Sequence, residues 1–331
     1  MFLNASFACT GQREFYSDRG TQTMSIDFLH QYILGNYRVV YARTLAAGVN
    51  HFNQAMIVRN LLATGADCEP QHRAEENALI TATIESLPPQ RVYRLFESLA
   101  ANRVNNRRTR ALIRRFILTT RNTSFDAVKY RSKVVVSTRH AHLRHGEETR
   151  RFLANPAGTA TPFETELYRN YAEAAHSKDA IFKLPFTIAE GIAERRGVPR
   201  AELLERGQAM MTQGEKLRMQ GSAARAKGKV EIDIDLTRMS LTRLASYALS
   251  LSRAERAERH EELDGALRAS ATQAAKGATA GLGRVAVIAD RSFSSSGSGE
   301  KRQRPLAVAL GAVYLLQAAG DCTVFWAPSL S

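Results

Sequence analysis

The chain has 331 residues, of which 44% are hydrophobic and 24% charged, a composition that excludes a disordered protein. It contains 46 lysine and arginine residues against 32 aspartate and glutamate residues, and this formal charge of +14 favours an anionic partner. No run of 18 apolar residues occurs and the first residues do not have the pattern of a secretory signal, so we expect a cytoplasmic protein without a membrane span. Cys9, Cys68 and Cys322 are far apart in the sequence, so we expect a reduced protein without a disulfide framework or zinc cluster.

The first 24 residues mix serine, threonine and glycine, and we expect segment 1–24 to be loose. After it, apolar residues recur at helical spacing, with breaks expected at Gly35, Gly65 and the Pro88-Pro89 pair. Amphipathic stretches predict helices over 75–87, 91–101, 105–119, 126–136, 146–154, 163–175, 188–196, 200–212, 240–251 and 255–276. This succession of short helices indicates an α-solenoid or an irregular helical array over residues 25–280.

The pattern changes towards the carboxyl end. Segment 221–228 (GSAARAKG) is expected to be a flexible basic link, and 231–236 (EIDIDL) alternates as a short strand or an extended segment does. The run 284–289 (RVAVIA) suits a buried parallel strand, and a helix over 305–319 and a second strand over 322–327 follow it. Strand, loop, helix and strand in this order form the opening unit of a doubly wound α/β domain.

Two strands and one helix cannot cover both faces of a parallel sheet. We therefore interpret residues 281–331 as the amino-terminal part of a truncated α/β domain. The expected fold class is mainly α, a helical array followed by a partial α/β unit of the Rossmann type.

The positive charge is concentrated in residues 91–151, which hold 16 lysines and arginines and 4 acidic residues. This local excess weakens the alternative of an ordinary solvated helix face and favours nucleic acid as the partner. Arginines recur at helical spacing near the start of the helix expected over 105–119, where backbone N–H groups also attract phosphate. The candidate RNA-binding residues are Arg103, Arg107, Arg108, Arg110, Arg114, Arg115, Lys129, Arg131, Lys133, Arg139, His140, His142 and Arg144.

Three histidines lie together in the segment Arg139–His145 (RHAHLRH). They lack a fourth ligand nearby for a zinc site, and His140 and His142 would share a face only in an extended segment. Beside arginines they could instead stack on single-stranded bases or hydrogen-bond to them. A basic loop with one buried histidine is an alternative of equal weight.

A D-x-S-x-S motif, formed by Asp290, Ser292 and Ser294, follows the first expected strand. One carboxylate and two hydroxyls on a turn at the carboxyl end of a parallel strand are hard oxygen donors that suit Mg²⁺. The alternative is a serine-rich turn in which Asp290 ends the strand.

The motif, placed between RVAVIA and an apolar helix, resembles the opening of a von Willebrand factor A domain. A basic helical array that leads into such a strand resembles the TROVE-module proteins, the relatives of the Ro autoantigen. In that family a ring of HEAT-like helical repeats is closed by the A domain and binds small noncoding RNA. The resemblance implies a TROVE-like helical-repeat domain over 25–280 and the start of a von Willebrand factor A-like domain over 281–331. The family completes its metal site with a threonine and an aspartate from later loops, which would lie beyond Ser331.

The motifs of common hydrolases and nucleotide-binding enzymes do not occur in the sequence, so we expect a protein that is not an enzyme. Together the observations predict an RNA-binding protein that scaffolds small noncoding RNA or serves its quality control in a ribonucleoprotein. The alternative is a protein-interaction adaptor that grips a partner's carboxylate through Mg²⁺ at Asp290, for example together with an ATPase chaperone. DNA is an alternative ligand, because contacts to phosphate groups carry no sequence information.

Overall fold

The structure is a computed structural model that describes residues 2–9, 19–120, 122–158, 161–225, 230–276, 283–291 and 303–327. It is 74% helix with two short parallel strands, so the expectation of a mainly α protein is confirmed. The described residues fall into two compact units, one running through Gly197 and the other beginning at Val198. This division lies inside the segment 25–280 that the sequence pattern suggests is one domain.

The helices of the first unit are α1 (Phe2–Ala8), α2 (Arg19–Asn36), α3 (Arg38–Arg43), α4 (His51–Ala63), α5 (Arg73–Ser86), α6 (Pro89–Ala101), α7 (Arg107–Thr119), α8 (Thr123–Lys129), α9 (Arg131–His140), α10 (Glu147–Ala154), α11 (Glu166–Ala174) and α12 (Phe186–Arg195). The elements of the second unit are α13 (Arg200–Gly207), α14 (Gln213–Arg225), α15 (Leu241–Ser250), α16 (Arg253–Glu258), α17 (His260–Ala275), β1 (Val285–Asp290), α18 (Arg304–Ala319) and β2 (Cys322–Ala327). Short 3-10 helices cover Thr44–Ala47, Gly65–Asp67, Pro70–His72, Asp179–Lys183, Gln208–Met210 and Leu236–Arg238.

The amino-terminal region is more ordered than the sequence suggests. The expectation of a loose segment over 1–24 is wrong where the structure describes it, because α1 lies there and α2 begins at Arg19. The break expected at Gly35 instead falls at Tyr37, which leaves helical geometry with φ −142° and ψ 51°. A glycine inside a helix costs only about 1 kcal/mol, which packing of the rest of α2 can offset.

Several boundaries inside the array also differ from the predicted ones. The helix expected over 126–136 is divided at Tyr130, where α8 ends and α9 begins. Helix α14 extends to Arg225 and so covers residues 221–225 of the expected link 221–228, whose remainder, 226–228, lies outside the described residues. The stretch 231–236 forms no strand in the structure, but it is anchored because Ile232 and Leu236 are buried.

The core of the first unit is rich in aromatic rings where α6, α7 and α9 meet. The ring centroid of Tyr93 lies 6.2 Å from Phe96, 5.6 Å from Phe116 and 5.3 Å from Tyr130. Helix α6 buries side chains three and four positions apart, namely Val92, Tyr93, Leu95, Phe96 and Leu99. Because this stripe faces the core, the polar face of α6 carries Arg91 and Arg94 outward.

The second unit contains the strand–helix–strand element. Strands β1 and β2 pair in parallel, from Val285 opposite Cys322 to Asp290 opposite Ala327. Helix α18 connects them and packs on α15 and α17, where Ala307 joins a core with Leu244 and Leu267. The strand 322–327 has the bounds that the sequence predicts, because a β-branched and aromatic run between turn residues is a clear strand signal.

Candidate nucleic-acid interface

Helices α6 and α9 pack against each other, and both end in the same kind of turn. After α6, the N–H of Val104 donates back across the turn to the carbonyl oxygen of Leu99 at 2.9 Å, and the N–H of Leu143 closes the turn after α9 in the same way at 3.0 Å. The residue before each donor is left-handed, Arg103 with φ 57° and His142 with φ 51°. This hydrogen-bond pattern is the Schellman ending of a helix.

Arginine and histidine are unusual residues for the left-handed position of such a turn. Glycine usually stands there, because a Cβ makes the conformation unfavourable by about 1 kcal/mol. Arg103 and His142 are both exposed, so packing does not explain them. Strained backbone at an exposed basic residue favours a role for the side chain outside folding.

The two turns are joined to each other and to α7. The Nε2 of His140 lies 2.9 Å from the carbonyl oxygen of Val104 and must donate, since a carbonyl only accepts. Arg114 donates from Nε to the carbonyl oxygen of Ala141 at 2.8 Å and from Nη2 to that of His142 at 3.1 Å. These contacts satisfy carbonyls at the end of α9 and bring three segments, distant in sequence, to one place.

The start of α7 is fixed by Asn106. Its side-chain oxygen accepts from the N–H of Thr109 at 3.0 Å, and its amide nitrogen donates to the carbonyl oxygen of Leu62 at 2.7 Å. Arg107 and Arg110 leave the first turn of the helix, where the partial positive charge of the helix end adds to theirs. Asparagine before an arginine-rich helix is the capping signal that the sequence shows.

Six basic side chains remain at the joined turns without a hydrogen bond or ion pair within the described part of the chain. They are Arg103, Arg107, Arg110, Arg139, His142 and Arg144, and we call them the twin-turn surface. Arg110 is partly exposed and the other five are exposed. Positive charge therefore accumulates here, and no described carboxylate lies within ion-pair distance of these six side chains.

Arg108 differs from its neighbours because the fold uses it. Its Nη1 lies 2.8 Å from Oε1 of Glu76, and its Nε donates to Oδ1 of Asn77 at 2.8 Å. Glu76 also accepts from Arg38, with Nε to Oε2 at 2.8 Å. Burial alone would raise the pKa of Glu76, but the hydrogen bonds from the two guanidinium groups outweigh burial and lower it. The three side chains thus tie α3, α5 and α7 together.

Four other predicted contact residues also have partners in the fold. Arg115 pairs with Glu85 at 2.8 Å, Lys133 pairs with Glu97, Arg131 donates to the carbonyl oxygen of Leu153 at 2.9 Å, and the Lys129 ammonium lies 5.3 Å from the Phe125 ring centroid and 5.6 Å from that of Tyr130. Sequence spacing cannot separate Arg115, Lys133 and Arg131 from the residues of the twin-turn surface, because their partners come from other helices.

The three histidines of 139–145 have different surroundings. His140 is held by Val104, and Nε2 of the half-buried His145 lies 2.8 Å from Oγ1 of Thr138. Burial lowers the pKa of His145, so this ring stays neutral near pH 7. His142 is exposed at the turn. The described residues contain no group of three or more histidine, cysteine, aspartate or glutamate side chains that could hold a metal ion.

Asp290 ends β1 and is exposed. Ser292 and Ser294, its predicted partners in a magnesium site, lie outside the described residues. The metal site of the D-x-S-x-S motif therefore stays a prediction.

Arg91 and Arg94, which the sequence prediction leaves out, are exposed at the opposite end of α6 from Arg103.

Comparison of the chain with protein-family models, with curated proteins and with solved structures found no match. Among the described residues, no helix combines the length and apolar character needed to span a membrane.

Proposed function

We propose that this protein is a non-enzymatic, cytoplasmic RNA-binding protein that holds small noncoding or single-stranded RNA at the twin-turn surface. The observation that carries the proposal is the group of six basic side chains without partners on three joined segments. Its role would be to scaffold the RNA or to serve in its quality control, as the resemblance to TROVE-module proteins implies.

The distribution of ion pairs supports an anionic ligand. Elsewhere in residues 91–151, Arg108, Arg115 and Lys133 each have a carboxylate partner, whereas Arg91, Arg94 and Arg150, on α6 and α10, have none within the described residues. At the twin-turn surface five guanidinium groups have none within the described residues. Guanidinium groups bind two phosphate oxygens at once, which makes arginine better suited than lysine to a phosphate backbone.

The shape of the surface supports RNA with unpaired nucleotides. Three of the six side chains lie in or just after the two turns and three lie at the ends of α7 and α9, so no single continuous helix presents the surface to a DNA major groove. Sequence-specific RNA recognition mostly uses splayed bases that stack on planar groups, and His142 and the arginines supply such planes.

The test is the anisotropy of a labelled hairpin RNA with a single-stranded 3′ tail, titrated with the full chain at several salt concentrations. The test variant combines Arg107→Glu, Arg139→Glu and Arg144→Glu. The matched control combines Arg169→Glu, Arg195→Glu and Arg196→Glu, three exposed arginines outside the block with the same change in net charge.

We expect the test variant to bind at least tenfold more weakly and its salt slope to fall by about two, since each lost phosphate contact removes roughly 0.7 from the slope on single strands. The control should keep the wild-type slope. Equal losses of RNA affinity in both variants would show that only the net charge of the protein matters. Unchanged affinity of the test variant would show that the twin-turn surface does not bind RNA.

A second candidate function is a protein-interaction adaptor that binds a partner's carboxylate through Mg²⁺ at Asp290. The observation that favours it is the exposed carboxylate at the carboxyl end of a parallel strand, where α/β folds bind ligands. Asp290→Ala should then abolish Mg²⁺-dependent capture of the partner and leave RNA affinity unchanged. The charge reversals at Arg107, Arg139 and Arg144 should do the opposite.

A further inference from the structure

A fully buried histidine lies at the centre of a hydrogen-bond network in the first unit. His30 of α2 is 0% exposed, and its Nδ1 lies 2.7 Å from the hydroxyl of Tyr41 while its Nε2 lies 2.9 Å from Oδ1 of Asn53. The Tyr41 hydroxyl also accepts from Nδ2 of Asn60 at 3.0 Å. The chain of hydrogen bonds therefore connects α2, α3 and α4.

The donors and acceptors of this chain fix the tautomer of His30. Asn53 uses its amide nitrogen to donate to the carbonyl oxygens of Ser6, at 2.9 Å, and Cys9, at 2.8 Å, so its oxygen faces His30 and accepts from Nε2. Nδ1 is left as an acceptor and takes the hydroxyl hydrogen of Tyr41. Every group is satisfied only while the ring is neutral.

The same network holds α1 in place. Asn53 binds two carbonyl oxygens at the end of this helix, and the amide nitrogen of Asn50 donates to the carbonyl oxygens of Phe7 at 3.2 Å and Cys9 at 2.8 Å. The ring of Phe2 lies 5.1 Å from the His30 ring and 5.7 Å from the Tyr41 ring, centroid to centroid. Helix α1 has seven residues, too few to be stable without this docking.

We propose that protonation of His30 releases α1 from the helical unit, so that the docking of α1 is a pH-sensitive switch. A proton on Nδ1 meets the O–H of Tyr41 and forces the hydroxyl to become an acceptor. The Tyr41 oxygen then accepts from both Nδ1 and Asn60, and the hydroxyl hydrogen loses Nδ1 as its acceptor. In addition, a charged ring lies buried under Phe2.

Burial of His30, rather than the charges around it, sets the direction that the switch requires. Burial lowers the pKa of His30, the hydrogen bond to Asn53 and the carboxylate of Asp27 on α2 act against this, and Arg59 on α4 lowers it further. Tyr41 on α3 is the titratable group in direct contact, and burial raises its pKa, so its hydroxyl stays protonated. The described residues of α1 carry no titratable side chain.

The direction of the pH effect follows from linkage. The docked state binds the proton less readily than the released state, whose histidine returns towards the ordinary value of 6.5. Docking is therefore complete above about pH 6.5 and weakens below it. The population of docked α1 relative to released α1 falls by up to about tenfold for each pH unit until the docked-state pKa is reached.

The experiment is amide hydrogen exchange of the full chain between pH 7.5 and pH 5, with rates corrected for the intrinsic pH dependence. Protection of residues 2–9 should fall on acidification, whereas that of Phe186–Arg195 should not change. In His30→Gln, whose amide can donate to Asn53 and accept from Tyr41 without titrating, protection of 2–9 should become independent of pH. His51→Gln, a change at an exposed histidine of α4, should behave as wild type.

Wild-type protection of residues 2–9 that does not depend on pH, or an equal pH dependence in His30→Gln, would overturn the proposal. Should His30→Gln not fold, the NMR titration of the His30 ring in the wild-type protein decides. Its midpoint must coincide with that of exchange in residues 2–9, and separate midpoints would reject the switch.

Discussion

Arg103 and His142 occupy equivalent positions in two neighbouring turns, each as the left-handed residue that follows a helix, with φ 57° and 51°. The helices that they follow, α6 and α9, pack together, and the turns are joined by the hydrogen bond from His140 to Val104. The fold thus holds two exposed basic side chains in a conformation that suits glycine better. This relationship gives a direct way to separate stability from ligand binding.

Arg103→Gly should stabilise the protein and weaken RNA binding. Glycine relieves the left-handed strain, for an expected gain of about 0.5 to 1 kcal/mol in the free energy of unfolding. The variant also removes one guanidinium group from the twin-turn surface. Urea unfolding and RNA anisotropy measure the two effects. A loss of stability would contradict the assignment of strain, and unchanged affinity would contradict the assignment of the contact.

We expect the main role of Arg114 to be holding the turn after α9 in place, rather than contact with RNA. Arg114→Ala should lower the free energy of unfolding by about 1 to 3 kcal/mol, because the carbonyl oxygens of Ala141 and His142 lose their donor. Arg114→Lys keeps the charge but cannot donate to both oxygens. Its RNA affinity should fall with that of the alanine variant, and wild-type affinity of Arg114→Lys would show that charge alone matters here.

Glu76 should be far more important for stability than its neighbour Glu75. Glu76→Gln leaves Arg38 and Arg108 partly buried without a carboxylate, and we expect a loss of about 3 to 5 kcal/mol. Glu75 pairs with Arg43 at the exposed surface, where solvent screens the pair, so Glu75→Gln should lower the free energy of unfolding far less than Glu76→Gln does. Urea unfolding of both variants provides the measurement, and similar losses would refute the structural role of the triad.

The contribution of Glu76 to the free energy of unfolding should disappear at low pH. Its pKa is lowered in the folded protein by Arg38 and Arg108, against burial, so the unfolded chain binds the proton more readily. The stability that it supplies is fully present above about pH 4.5 and is lost as the pH falls through the folded-state value. The difference in unfolding free energy between the wild type and Glu76→Gln should therefore shrink between pH 6 and pH 3, and a constant difference would contradict this linkage.

Helices were the most predictable part of the structure. The amphipathic spacing of α6 and the proline at its start specify a helix by local rules, and the run 322–327 specifies β2 in the same way. Helix α1 was missed because its stability comes from Asn53, Phe2 and His30, partners that no local pattern reveals.

Charge density predicts a candidate site within residues 91–151, and that site stays a prediction. Charge density cannot distinguish Arg108 from Arg107, since the partner of Arg108 lies 32 residues away at Glu76. The left-handed turns were also hidden, because turn rules favour glycine or asparagine where this chain has Arg103 and His142.

RNA binding by the wild-type chain is tested by anisotropy of the tailed hairpin RNA from low to moderate salt, with duplex DNA as competitor. A steep fall of affinity with salt, together with a preference for the tailed RNA over the duplex, is the expected result. Weak binding, or equal displacement by duplex DNA, would contradict an RNA-binding role for the twin-turn surface and leave its charge without a specific ligand.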